Sequence, residues 1–124
     1  MLGNVLVVAA GGAIGAVMRY GVNAGFAGRV AFPWATLAVN ISGSLLFGFL
    51  AIWLSERLPM AAELRAFALV GVLGAFTTFS TFSFETLALL QEGAIARAAA
   101  NALASVVLCV LAAAAGVWLA RQFT

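Results

Sequence analysis

The sequence predicts an all-α integral membrane protein with four transmembrane helices, and its composition carries most of that prediction. Apolar residues make up 65% of the 124 residues and charged residues only 8%, whereas typical soluble domains contain about 45–50% and about 25%. A soluble domain of this size needs a large polar surface, which six arginines and four glutamates cannot provide. Disorder is excluded by the same figures, because disordered chains are poor in apolar residues and rich in charge.

The charged residues divide the chain into apolar stretches of the length that a helix needs to cross a bilayer, about 20 residues. We expect one transmembrane domain over residues 1–124, with spans at approximately 2–20, 33–55, 65–85 and 98–120. The first stretch lacks the basic start of a cleavable signal peptide, so we expect it to remain as a helix. The lipid bilayer is therefore the expected environment of the chain.

The arginines are shared equally between the two sides of the membrane. Four crossings place both chain ends on one side, together with Arg57, Arg65 and Arg121, and leave Arg19, Arg29 and Arg97 on the other. Orientation normally follows an excess of Lys and Arg on the cytoplasmic side. The equal number of arginines on the two sides predicts insertion in both directions and permits an antiparallel, dual-topology homodimer. The alternative is one fixed orientation, set by the N-terminal amine or by unequal distances from the helix ends.

Several function classes are excluded by the residues that the sequence lacks. It has no histidine, which removes the commonest metal ligand and general base, and Cys109 is its only cysteine. We therefore expect neither an enzyme nor a disulfide framework. No run of basic residues indicates a nucleic-acid partner.

Polar residues within the spans form two stripes. The second span carries Thr36, Asn40 and Ser44, and the fourth carries Asn101, Ser105 and Cys109, each set at spacings of four residues. Residues at this spacing lie on one face of a helix. One interpretation is hydrogen-bonding glue between helices. The other is a polar pathway shared by the two helices.

The first span combines small residues with a charge at its end. Gly11 and Gly15 form a GxxxG pattern, continued by Gly12 and Ala16, which permits close helix packing. Arg19 has two interpretations. Its side chain either reaches from the helix to the membrane surface or supplies positive potential at an aqueous mouth that attracts anions.

The third span is the one most prone to a break. Glycine, threonine and serine concentrate between Gly71 and Ser83, and such residues compete with regular helical hydrogen bonding. We expect a break near residues 74–78, close to the membrane midplane, with freed carbonyls facing a cation. The alternative is an unbroken helix whose hydroxyls donate back to its own carbonyls.

Three phenylalanines of this span, Phe76, Phe79 and Phe82, recur at every third position and should lie along one side of the helix. Aromatic residues at this spacing usually pack against lipid or against the core. Their positive ring edges can instead face a small anion, with Ser80, Thr81 and Ser83 interleaved as hydroxyl donors.

Three motifs make the sequence similar to one known family. They are GAIGAVMRY at positions 12–20, TLAVNISGS at 36–44 and GVLGAFTTFSTFS at 71–83. The chain resembles the Fluc (CrcB) family of small bacterial fluoride channels. The resemblance implies a passive, fluoride-selective channel of the bacterial inner membrane that exports cytoplasmic fluoride and so reduces its toxicity. It also implies an antiparallel homodimer with two pores and a structural Na⁺ at the interface.

The resemblance also assigns residues. Asn40, Phe79 and Phe82 match pore residues, Ser105 falls at a polar pore position, and Arg19 matches a vestibule arginine. Together with the Ser80 and Thr81 hydroxyls, these residues form the expected fluoride pathway. Main-chain oxygens of Gly74 and Thr77 match the Na⁺ ligands. Ala75 departs from the family pattern, since many members have a second glycine there.

Two other functions remain as alternatives. A proton-coupled small multidrug-type transporter needs a carboxylate within the membrane, and Glu85 is the nearest candidate. In a non-transporting assembly subunit, the two polar stripes would act only as glue between helices.

Overall fold

A computed structural model describes residues 1–124, and every regular element in it is helical. The elements are α1 (Leu2–Gly25), α2 (Trp34–Arg57), α3 (Ala62–Arg65), a π-helix (Ala66–Leu73), α4 (Gly74–Phe76), α5 (Phe79–Gln91) and α6 (Ile95–Gln122). The elements from Ala62 to Gln91 form one span. The four spans have 24, 24, 30 and 28 residues and are long and apolar enough to cross a membrane. The prediction of an all-α chain with four long apolar helices is confirmed.

The helices extend beyond the predicted spans at their ends. α2 includes Glu56 and Arg57, and the last turn of α6 includes Arg121. Charged residues are compatible with a helix end near the membrane surface because their long side chains can reach water. Gly28 (φ 86°) follows α1 and Gly93 (φ 77°) follows α5. Both adopt the left-handed backbone that favours glycine after a helix.

The helices pair in a way that the loop lengths do not predict. Short connections favour contact between helices that are neighbours in sequence, but α1 and α2 touch little. The most extensive contacts join α2 to α6 and α1 to the π-helix and α4. A short connection therefore does not place α1 and α2 in close contact.

Glycines determine these pairings by allowing close backbone contact. A Cβ atom on Gly11 would lie 3.1 Å from the Cα of Gly71, and one on Gly15 would overlap the carbonyl oxygen of Val72. The close packing predicted for Gly11 and Gly15 is confirmed, whereas for Gly12 it is wrong, because an added Cβ there would meet nothing within 4 Å. Gly48 and Gly116 have the same role between α2 and α6, where an added Cβ would overlap a carbonyl oxygen of the opposite helix.

The third span is interrupted at Thr77 and Thr78, within the range that the sequence indicated. Thr77 has ψ 155°, and Thr78 has φ −153° and ψ 114°, which are extended conformations. A new helix starts at Phe79, where the Thr78 hydroxyl accepts a hydrogen bond from the Thr81 N–H (3.2 Å). This is the usual capping role of threonine at a helix start. The π-helix before the interruption has no counterpart in the sequence analysis.

Phe76 lies on the other side of the interruption from Phe79 and Phe82. It is 6% exposed and packs in a small core with Val39 and Leu73. The expectation of three phenylalanines along one helix side is therefore wrong. The two extended residues between Phe76 and Phe79 break the helical period on which that expectation depended.

Candidate functional site

A cavity of about 380 Å³ lies between α2, the interrupted span and α6. No charged side chain lines it. The lining residues are Asn40, Gly43, Ser44, Phe47, Thr77, Thr78, Phe79, Phe82, Ser105, Val106, Cys109 and Val110. Polar atoms are thus gathered inside an apolar wall, which is the usual construction of a small-ligand site.

Asn40 connects α2 to the interruption by two hydrogen bonds. Its Nδ2 donates to the carbonyl oxygen of Thr78 (3.0 Å), and its Oδ1 accepts from the Thr78 N–H (2.8 Å). The side-chain amide therefore satisfies both main-chain groups of Thr78. Nδ2 carries two hydrogens and makes only this one bond. Its second hydrogen is available to a ligand in the cavity.

Close packing of α2 against the interruption holds this arrangement in place. Gly43 lies one turn after Asn40, and a Cβ atom there would overlap the Cγ2 of Thr77 and lie 3.3 Å from the Phe76 ring. The Thr77 hydroxyl does not point to a ligand, because it donates to the carbonyl of Leu73 (2.9 Å).

Phe79 and Phe82 form an aromatic pair in the cavity wall. Their ring centroids are 5.4 Å apart and the ring planes are inclined by 50°. Phe79 is 76% exposed in the single chain, so one side of the cavity wall is uncovered. Tilted rings can direct hydrogen-bearing edges, the positive part of the quadrupole, toward a bound group.

The two polar stripes converge only in part. Asn40, Ser44, Ser105 and Cys109 line the cavity, as the shared-pathway interpretation requires. The Thr36 hydroxyl instead donates to Glu85 (2.9 Å), and Asn101 donates to Thr86 (2.9 Å). Each stripe therefore contributes two residues to the cavity and one bond to α5.

Three of the sequence-predicted pathway residues do not line the cavity. Ser80 and Thr81 lie in the first turn of α5, where both contact the Thr78 hydroxyl, at 3.3 Å and 3.0 Å. Arg19 lies on α1, which packs mainly against the π-helix. The part that these three residues take in a pathway stays a prediction.

Five lining residues have no role predicted from the sequence: Gly43, Phe47, Thr78, Val106 and Val110. Gly43 and Phe47 could have been found, because they follow Asn40 by three and seven positions and so share its helix face. Thr78 could have been found as a capping threonine. For Val106 and Val110 there was no signal, since valines occur throughout α6.

The interruption also releases two carbonyl groups from helical pairing. In an unbroken helix the N–H of Thr78 would donate to the carbonyl of Gly74, but here it donates to the Asn40 Oδ1. The N–H of Thr81 would pair with Thr77, but it donates to the Thr78 hydroxyl. The carbonyls of Gly74 and Thr77 therefore lack their helical i+4 donors.

The chain matches the family model described as CrcB-like protein, Camphor Resistance (CrcB), over residues 6–117. A protein of Magnetococcus marinus named fluoride-specific ion channel FluC is 55% identical over 92% of this chain and 94% of its own length. A Rhizobium meliloti protein of the same name is 45% identical over 97% and 98%. A third, from Methylococcus capsulatus, is 51% identical over 96% of this chain, which spans only 53% of that relative. The chain therefore belongs to the CrcB-like family.

Proposed function

We propose that the protein is a passive fluoride channel, which lets fluoride leave the cytoplasm and so reduces its toxicity. Relatives named fluoride-specific ion channels match nearly the whole chain at about half identity. The observation that carries the proposal is the uncharged cavity in which the Asn40 amide and the Phe79–Phe82 pair meet. An anion there meets hydrogen-bond donors and ring edges and no opposite full charge.

The cavity supplies replacements for the water that fluoride loses on entry. Asn40 has a free amide hydrogen, and the Ser44 hydroxyl lines the cavity without a hydrogen-bond partner in the chain. The edges of Phe79 and Phe82 add weaker positive contacts. Conduction requires binding that is favourable enough to enter and weak enough to leave. Partial charges meet that requirement better than a buried arginine or lysine.

The proposed assembly is an antiparallel homodimer in the bacterial inner membrane. Equal arginine numbers on the two sides support it. A twofold axis in the membrane plane brings identical elements near the midplane together. A second copy would cover the exposed ring of Phe79 and bring Ser80 and Thr81 beside a pore. Arg19 would raise the positive potential at the mouth of the pore.

The main-chain oxygens of Gly74 and Thr77 fit a structural Na⁺. Both carbonyls lack their helical donors, and unwound carbonyls at membrane depth coordinate Na⁺ in other transport proteins. One chain offers two such oxygens, and a second copy would double that number. When bound, the cation supplies positive charge near the pores and joins the two copies.

A liposome assay tests the function. Purified protein is reconstituted into vesicles loaded with potassium fluoride or potassium chloride, and efflux is started with a potassium ionophore. Rapid efflux of fluoride and not of chloride supports the proposal. Equal efflux of both anions, or none, contradicts it. Proton movement coupled to an organic cation, and lost in Glu85→Gln, would favour the multidrug-type transporter instead.

A further inference from the structure

A chain of hydrogen bonds joins α5 to α6 behind the cavity wall. The Thr86 hydroxyl donates to the carbonyl of Phe82 (2.8 Å), and the Asn101 Nδ2 donates to the Thr86 hydroxyl (2.9 Å). The Ser105 hydroxyl donates to the Asn101 Oδ1 (3.5 Å). Asn101 is only 1% exposed, so water cannot replace these partners. Neither Thr86 nor Asn101 lines the cavity.

The Phe82 carbonyl is the first acceptor in this series of hydrogen bonds, and it determines the direction of the others. A carbonyl oxygen can only accept, so the Thr86 hydroxyl must donate its hydrogen to the carbonyl of Phe82. The Thr86 oxygen then accepts from Asn101, which turns the amide so that Nδ2 faces Thr86 and Oδ1 faces Ser105. An amide oxygen also only accepts. The Ser105 hydroxyl is therefore constrained to donate to Asn101.

The bond from Ser105 to Asn101 is the longest and weakest of these three hydrogen bonds. Its length of 3.5 Å lies well beyond the usual O–H···O distance of about 2.7–2.8 Å. Other serines of the spans donate to the carbonyl four residues earlier at normal distances, Ser42 to Ala38 at 2.7 Å and Ser83 to Phe79 at 2.9 Å. Ser105 is the cavity-lining serine that is held away from such a bond by a side chain.

We propose that Thr86 and Asn101 are positioning residues for anion conduction, which keep the Ser105 hydroxyl on a long, easily broken bond so that it can donate to an anion in the cavity. This inference rests on the proposed fluoride channel. Without the Thr86 hydroxyl, Nδ2 of Asn101 loses its acceptor and the amide can turn toward Ser105. The serine then accepts, and its hydrogen goes to the main chain of α6.

Thr86→Val and Thr86→Ser separate this role from simple packing. Valine has the shape of threonine without the hydroxyl, and serine keeps the hydroxyl. We expect Thr86→Val to slow fluoride efflux by about tenfold or more, the size of effect that follows from losing one hydrogen bond to a charged group. Thr86→Ser should stay within about twofold of the wild type, because its hydroxyl preserves the same bond.

A double-mutant cycle tests whether Thr86 acts through Ser105. Ser105→Ala alone should slow efflux, and adding Thr86→Val to it should cause no further loss. Ser55→Ala removes a back-bonded hydroxyl near the end of α2, away from the cavity, and serves as the control. Size-exclusion profiles establish that each variant is folded, and Thr86→Ala replaces Thr86→Val if the latter aggregates.

Two results would overturn the positioning role. One is wild-type efflux in Thr86→Val, and the other is a multiplied loss in the double variant. Both presuppose fluoride efflux in the wild type. Its absence there would overturn the proposed function itself.

Discussion

The side chain of Asn40 replaces the helical partners of Thr78 by binding its carbonyl at 3.0 Å and its N–H at 2.8 Å. Thr78 can therefore keep an extended backbone within a membrane span with both of its main-chain groups satisfied. The same amide still has one free hydrogen at the cavity wall. Asn40 thus stabilises the interruption and contributes a donor to the proposed pathway.

Asn40→Asp should abolish fluoride efflux. The carboxylate can still accept from the Thr78 N–H, but it cannot donate to the Thr78 carbonyl or to an anion. It also places a negative charge in the cavity, which repels fluoride. The measurement is the efflux rate of vesicles that contain equal amounts of protein. Asn23→Asp, on the exposed end of α1, controls for the added charge, and efflux in Asn40→Asp equal to that control would contradict the prediction.

Phe79→Ile and Phe82→Ile should each reduce efflux strongly while leaving the protein folded. Isoleucine keeps much of the apolar volume but has no positive ring edge. Phe84→Ile is the matched control, since Phe84 is exposed on the same helix and does not line the cavity. If the rings only fill space, all three variants should conduct alike, and that result would remove both phenylalanines from the pathway.

Gly15→Ala should destabilise the protein, and Gly12→Ala should not. A Cβ on Gly15 would overlap the Val72 carbonyl, whereas a Cβ on Gly12 meets nothing within 4 Å. Overpacking typically costs about 1–3 kcal/mol. Thermal denaturation in detergent should therefore show a lower midpoint for Gly15→Ala alone. Equal midpoints for the two variants would mean that α1 does not pack on the π-helix through this face.

Labelling of single cysteines in intact cells should reveal both orientations. In a Cys109→Ser background, Met60→Cys and Val30→Cys place an exposed thiol in loops at opposite sides of the membrane. A membrane-impermeant thiol reagent should modify both variants if insertion is dual, because each loop then faces outward in part of the molecules. Modification of only one variant would show a fixed orientation and exclude the antiparallel dimer.

The sequence predicts those parts of the fold that depend on local chemistry. A long apolar stretch, a glycine stripe such as Gly11 and Gly15, and a threonine-rich break can each be recognised within one span, without knowledge of the helix that packs against it. The pairing of α2 with α6 could not be predicted in this way. It depends on Gly48 and Gly116, which are far apart in the sequence. Nothing in the sequence around either glycine distinguishes it from the glycines that make no helix contact.

The candidate site was predictable to a similar extent. Stripes at helical spacing indicated Asn40 and Ser105, which do meet at the cavity. The partner of each polar side chain was not predictable, because it depends on how helices rotate about their axes. Thr36 and Asn101 belong to the same stripes and yet bond to Glu85 and Thr86.

Assembly of the proposed dimer should depend on Na⁺ and on the main chain rather than on the Thr77 side chain. Replacing Na⁺ by the large cation N-methyl-D-glucamine should reduce the dimer fraction in analytical ultracentrifugation. Thr77→Ser should retain the Na⁺ dependence of the wild type, because the carbonyl is unchanged. A dimer that is indifferent to the cation would contradict the proposed site.

Thr78→Val tests why the Thr77 carbonyl is free. In the wild type the Thr81 N–H donates to the Thr78 hydroxyl. Without that hydroxyl, the same N–H can donate to the Thr77 carbonyl as in a continuous helix. We therefore expect Thr78→Val to weaken the dependence of the dimer on Na⁺, since a carbonyl that accepts a hydrogen bond is a poorer cation ligand. Thr78→Ser keeps the cap and should behave as the wild type. An equal Na⁺ dependence in both variants would show that release of the Thr77 carbonyl by capping is unrelated to cation binding.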